Sequence, residues 1–255
     1  LWPPGTVAAW ETSVRTELGQ AMKTLAVLSR KGGTGKTTLA LHLAVAARNA
    51  GLSTLVVDLD RQQSSVEWRR QRGRCDILVE AVKPGALFTR QQDASREGVD
   101  LLIVDTGPSL EADVEQAIRC ADLCAIVARP NFFDMKAVAD TAALAHSFHR
   151  DVVFVLNQAP SRRGGFESPT VGEAVLALRG LGAPVAPIGL RNRVAYQQSV
   201  ARGLVAQEHE PEGSAASEIA ALWRWMEARL QAERPVAPRM PTFVSLAAER
   251  AARPF

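Results

Sequence analysis

The chain has 255 residues, 47% of them apolar and 22% charged, with a net charge of +3 and a pI near 9.0. This fits one sizeable α/β domain with tails, leaves two full domains cramped, and argues against global disorder. Three cysteines without C-x-x-C spacing, Cys75, Cys120 and Cys124, argue against a disulfide framework or a zinc site, and no stretch of about 18 apolar residues is present to span a membrane. The mild basicity is compatible with touching DNA and does not demand it.

Residues 1–21 start without methionine and carry Pro3-Pro4-Gly5. They lack the basic start and continuous apolar stretch of a signal peptide, so they are expected to be an extension, with Met22 the natural start and the cytoplasm the compartment. A domain over 22–234 then alternates strand and helix. Apolar strands are predicted at 25–29, 54–59, 77–82, 101–105, 123–128, 152–157 and 185–188. Helices are predicted at 36–50, 65–72, 86–97, 111–120, 135–149, 171–179 and 214–231. Short strands, apolar on both faces, predict a doubly wound and mostly parallel sheet of about seven strands, with helices on both sides. Pro235, Pro238 and Pro241 predict a tail over 235–255.

The run Arg30-Lys31-Gly32-Gly33-Thr34-Gly35-Lys36-Thr37-Thr38 lies where the first strand meets the first helix. Glycines there let backbone N–H groups converge on phosphate oxygens, and the helix N-terminus adds partial positive charge. Lys36 is placed to reach the β- and γ-phosphates and Thr37 to ligate Mg²⁺. The strand 101–105 ends in Asp105, as a carboxylate reaching Mg²⁺ through water requires. The strand 54–59 is followed by Asp60, with Asp58 two residues before it; such a pair can orient metal-bound or attacking water. In a doubly wound sheet Lys36, Asp60 and Asp105 gather at the carboxyl ends of the strands.

The form K-G-G-x-G-K-T-T, with Lys31 before the paired glycines, resembles the deviant Walker A box of the ParA/MinD ATPases. The resemblance runs from about residue 23 to 229, and it matches the short ParA type without an N-terminal DNA-reading domain. It implies an ATPase that uses ATP and Mg²⁺, with Lys31, Lys36 and Asp60 catalytic. Lys31 then reaches across a homodimer interface to the partner's nucleotide. Residues 31–38 and Asn157 are implied to hold the nucleotide, Asn157 at the adenine, and Thr37, Asp58 and Asp105 to hold the metal. An amide can bond the adenine edge bidentately, so the chemistry of Asn157 fits. Two positions depart from the family: Arg61 stands where the D-x-D-P-Q box has proline, and Thr106-Gly107-Pro108 keeps one proline of D-x-P-P.

The implied function is positioning or segregation of a plasmid, chromosome or protein cargo. An ATP-bound dimer would bind nonspecific double-stranded DNA on the nucleoid, and a cargo-bound ParB-like protein would stimulate hydrolysis. Arg191, Arg193 and Arg202 are the candidate DNA contacts, with Arg162 and Arg163 weaker. The alternative is a MinD-like membrane-cycling regulator, whose anchor would have to be the short, Pro-flanked segment 242–253. An electron-transfer ATPase is disfavoured because Cys120 and Cys124 lack the spacing for a shared cluster. A nucleotide kinase stays open without support.

Overall fold

Six strands build a wholly parallel sheet in the order β3-β2-β4-β1-β5-β6. The structure is a computed structural model that describes residues 21–108, 111–162 and 164–232. The elements run β1 (Lys23–Leu28), α1 (Lys36–Asn49), β2 (Thr54–Asp58), α2 (Ser64–Arg72), β3 (Leu78–Ala81) and α3 (Leu87–Arg96). They continue as β4 (Leu101–Asp105), α4 (Glu111–Cys120), β5 (Leu123–Ala128), α5 (Phe132–Ser147), β6 (Asp151–Leu156) and α6 (Pro169–Arg179). Three helices close the described chain: α7 (Val194–Val200), α8 (Ala206–His209) and α9 (Ser214–Gln231).

Alternate residues of each central strand point to opposite faces, and both faces are covered. Leu25 and Val27 of β1 join a core with Leu39, Leu43, Ile219 and Trp223, beneath α1 and α9. Ala26 and Leu28 join a second core with Val114, Ile118 and Val138, beneath α4 and α5. Each large side chain buried this way contributes about 1.5–3 kcal/mol. The helix lining thereby holds the strand ends rigidly in register, with Val27 opposite Asp105 and Asp105 opposite Asp58.

The seventh strand expected over 185–188 is reduced to an isolated parallel bridge from Val185 to Phe154. The chain still bonds along β6, through Phe154 N to Pro184 O, Ala186 N to Phe154 O and Leu190 N to Leu156 O. Pro184 and Pro187 have no N–H, so a regular ladder cannot continue. Cys120 ends α4 and Cys124 lies in β5, both buried. The expected extension (apart from Ala21) and the expected C-terminal tail, together with Arg163 and 242–253, lie outside the described residues. Among the described residues no helix is long and apolar enough to cross a membrane.

Candidate functional site

The loop between β1 and α1 is shaped by Gly33 and Gly35, at φ 70° and 87°. Gly35 is the N-cap of α1, whose first turn carries no acidic residue, so the partial positive charge of the helix end is left unopposed. Lys36 is 6% exposed. Burial lowers its pKa, and Asp105 and Asp60 act the other way. Its Nζ donates to the Lys31 carbonyl at 3.2 Å, inside the loop. A buried ammonium whose hydrogen-bond partner is a carbonyl matches a phosphate ligand better than it matches its present contact.

The ends of β2 and β4 bring the acidic residues beside it. Asp105 is fully buried, and Ser65 Oγ donates to its Oδ2 at 2.7 Å; the Thr37 side chain lies close enough to favour its charged form. Burial, then the neighbouring Asp58, pushes its pKa up to about 7. Its Oδ1 is buried without a partner. An orphaned carboxylate oxygen next to a threonine hydroxyl at the foot of a phosphate loop fits a hard divalent cation reached directly or through water. Among the described residues no group of three His, Cys, Asp or Glu forms a cage of its own, so such a cation would depend on the ligand's oxygens as well.

Asp58, expected at the metal, has both carboxylate oxygens bonded to backbone amides. Its Oδ1 accepts the Asp60 N–H at 2.9 Å, and its Oδ2 accepts the Ser65 and Val66 N–H groups at 2.9 and 3.3 Å. It satisfies the first amides of α2, standing behind Asp105 as a cap of that helix. Ser65, unremarked in the sequence, is thereby fixed onto Asp105; its only sequence signal is a small hydroxyl residue at a helix start.

Asp60 is half-buried at the rim, where its Oδ1 accepts the Gln62 N–H at 3.0 Å. The departure at Gly107 has a physical reason here. A Cβ at that position would lie 3.1 Å from Asp60 Cγ and 3.3 Å from Asp60 Cα, so glycine leaves room for the carboxylate. Arg61, in the usual place of proline, is exposed.

Lys31 pairs with Asp134 at 2.7 Å, its side chain 36% exposed. Asp134, in the first turn of α5, is buried and also pairs with Arg129 at 2.8 Å. Burial pushes the Asp134 carboxyl up, but Arg129 and Lys31 outweigh that and hold it below its ordinary range.

Beside the loop lies a cleft of about 240 Å³, lined by Gly35, Leu39, His42, Asn157, Arg193 and Tyr196 among others. His42 is fully buried; Nδ1 meets Thr38 O at 2.7 Å and Nε2 accepts the Ala206 N–H at 2.9 Å. These partners set the proton on Nδ1, and burial lowers the pKa to about 4. Its ring meets Tyr196 edge-on at 5.2 Å.

The candidate DNA contacts separate. Arg191 is 8% exposed and its guanidinium is spent on Pro160 O and Glu167, contrary to the surface role expected. Arg193 pairs with Glu218 at 2.7 Å in the cleft wall. Arg162, exposed, pairs with Glu167. Arg202, just after α7, is exposed and has no ion pair among the described residues.

Comparisons with known proteins agree with this architecture. Residues 25–204 match the CobQ/CobB/MinD/ParA nucleotide-binding domain model. The chain is 32% identical over 192 residues to the maintenance of carboxysome distribution protein A of Gloeobacter kilaueensis, covering 71% of this chain and 82% of that one. It is 26% identical over 151 residues to the chromosome-partitioning ATPase Soj of Thermus thermophilus, covering 48% and 61%. Among solved structures, apo McdA of Cyanothece superposes with a TM-score of 0.68 at 14% identity, covering 80% and 99%. Pyrococcus furiosus MinD superposes with a TM-score of 0.65 at 18% identity, covering 81% and 99%. The chain belongs to the CobQ/CobB/MinD/ParA nucleotide-binding domain family.

Proposed function

We propose that this protein is an ATP-hydrolysing positioning switch that dimerises on ATP and holds nonspecific DNA in that state. The observation that carries the reading is the pair of loop lysines: Lys36 is buried in the loop, and Lys31 is at its surface on a separate carboxylate. One lysine suffices for a phosphate in cis; the second is free to serve a nucleotide held by another copy.

In this reading residues 31–38 cradle the phosphates and Lys36 neutralises their charge. Thr37 and Asp105 would hold Mg²⁺, which would neutralise negative charge on the phosphate oxygens. Asp58 and Ser65 keep Asp105 oriented from behind. Asp60, at the rim, orients the attacking water. The base enters the cleft beside His42 and Tyr196. Lys31 leaves Asp134 for the partner's nucleotide, and Arg129 keeps the buried Asp134 charge matched while it is away.

Two relatives of 32% and 27% identity are carboxysome distribution proteins, which favours a protein body as cargo, with a cargo-bound protein stimulating hydrolysis. Of the arginines expected at DNA, Arg202 keeps that role best, because Arg191 and Arg193 already neutralise Glu167 and Glu218.

Mobility shifts with unrelated duplexes, with an ATP analogue and with ADP, test this. The analogue-bound protein is expected to bind all duplexes alike, with log affinity falling linearly against log salt. Arg202→Glu should weaken binding about tenfold or more and leave ATP hydrolysis intact. Binding to anionic vesicles in place of DNA would transfer the protein to the membrane-cycling class.

A further inference from the structure

β6 is followed by two consecutive amides, and both are turned onto the phosphate loop. Asn157 Nδ2 donates to Thr34 O at 2.7 Å, and Gln158 Nε2 donates to Gly33 O at 2.9 Å. Asn157 Oδ1 accepts the Gln158 N–H at 2.9 Å, so both polar atoms of Asn157 are engaged. Gly35 is shaped to this arrangement, since a Cβ there would fall 2.3 Å from Asn157 Nδ2. Gln158 itself sits at φ 54°, a left-handed conformation that residues other than glycine seldom adopt.

A peptide unit is planar and trans, so its C=O and N–H point in opposite directions. Drawing the Gly33 and Thr34 carbonyls towards the end of β6 turns the Thr34 and Gly35 N–H groups the other way, away from β6. Neither amide donates to another group among the described residues. We infer that Asn157 and Gln158 are positioning residues for phosphate: they hold two loop amides aimed at the nucleotide's phosphate oxygens before it binds. Gln158 has no role in the resemblance, and Asn157 acts here on the loop in place of the base. The inference rests on reading the loop as a nucleotide site.

The test is competition against a fluorescent ATP analogue, in the full chain, by adenosine, AMP, ADP and ATP. Gln158→Gly should weaken ADP and ATP about tenfold, the loss of one hydrogen bond, while adenosine changes less than about twofold. Because glycine accepts the left-handed backbone, its thermal midpoint should be unchanged or higher, which a merely structural glutamine would not allow. Asn157→Ala should show the same selective loss for phosphorylated ligands. An equal loss from adenosine to ATP would assign the amides to the base and overturn the proposal, as would unchanged ATP affinity. Should the wild type bind no nucleotide, the nucleotide reading fails, and the bracing is decided separately by backbone ¹⁵N relaxation of Thr34 and Gly35. Order parameters that fall in Gln158→Gly support it, and unchanged values reject it.

Discussion

The two ends of α2 each hold a cluster of buried charge, and the clusters are settled in opposite ways. At the C-terminal end Arg72, with no exposed side-chain surface, makes five hydrogen bonds: two to Asp76, two to Glu208 and one to Gly203 O. Arg72 pulls the Asp76 carboxyl down to about 2. Trp68 stacks beneath the guanidinium at 4.8 Å and donates to Leu204 O. At the N-terminal end Asp105 is held near neutrality, one of its oxygens has no partner, and Lys36 bonds only a carbonyl. Matched charge ties α2 to the last quarter of the fold. Mismatched charge, which folding alone would select against, is what a charged ligand can repair.

Breaking the matched end should cost the most stability. Glu208→Ala leaves Arg72 buried with three of its five hydrogen bonds and is expected to lower unfolding free energy by about 3–5 kcal/mol. Denaturant titration measures this; a loss under about 1 kcal/mol would show the network to be decoration. At the mismatched end the large effect falls on binding. Lys36→Ala should weaken ATP by roughly a hundredfold or more, on the order of 3 kcal/mol of charge-assisted bonding. Asp60→Ala should spare binding and stop turnover, and calorimetry beside a phosphate-release assay separates the two.

A smaller effect, of opposite sign, sharpens the contrast. Asp105 has a folded pKa raised above its unfolded value, so the ligand-free protein loses stability from this group as pH rises from about 4 to about 7. His42 has a folded pKa lowered to about 4, so it costs stability as pH falls from about 6.5 to about 4. Asp105→Asn removes the first contribution and leaves the second. The variant should be more stable by on the order of 2 kcal/mol at pH 8, and its stability should rise more steeply between pH 4 and 6.5. Wild-type and variant curves that run parallel from pH 4 to 8 would refute the strain assigned to Asp105. The smallest expected effect is at Asp134. Asp134→Asn loosens the hold on Lys31, and ATP-dependent dimerisation by light scattering should strengthen about threefold to tenfold. Unchanged dimerisation would mean that Lys31 leaves Asp134 without cost.

How much of this was legible in the chain differs between the same two ends. The phosphate loop, Asp60 and Asp105 stand out because each is a short pattern on a strand end. The helix containing Arg72 was also expected, yet Arg72 itself looked like one arginine among many, since Glu208 is 136 residues away. Helices α7 and α8 escaped notice, because 7 and 4 residues are too few to show a helical period. The expectation for Arg191 rested on arginine in a late position, and sequence cannot show that Glu167 folds onto it.

The sequence by itself determined the parallel α/β class, the position of the phosphate loop and the presence of a second lysine within it. These rest on local backbone geometry and on periodic burial, which neighbours along the chain encode. Only the tertiary structure decided what each polar group does there. It turned Asn157 and Gln158 onto the loop, made Asp58 a helix cap, attached Ser65 to Asp105, parked Lys31 on Asp134 and removed Arg191 from the surface. Each of these depends on a partner brought close by packing, and a hydrogen bond or ion pair acts over a few ångströms of space, whatever the separation along the chain.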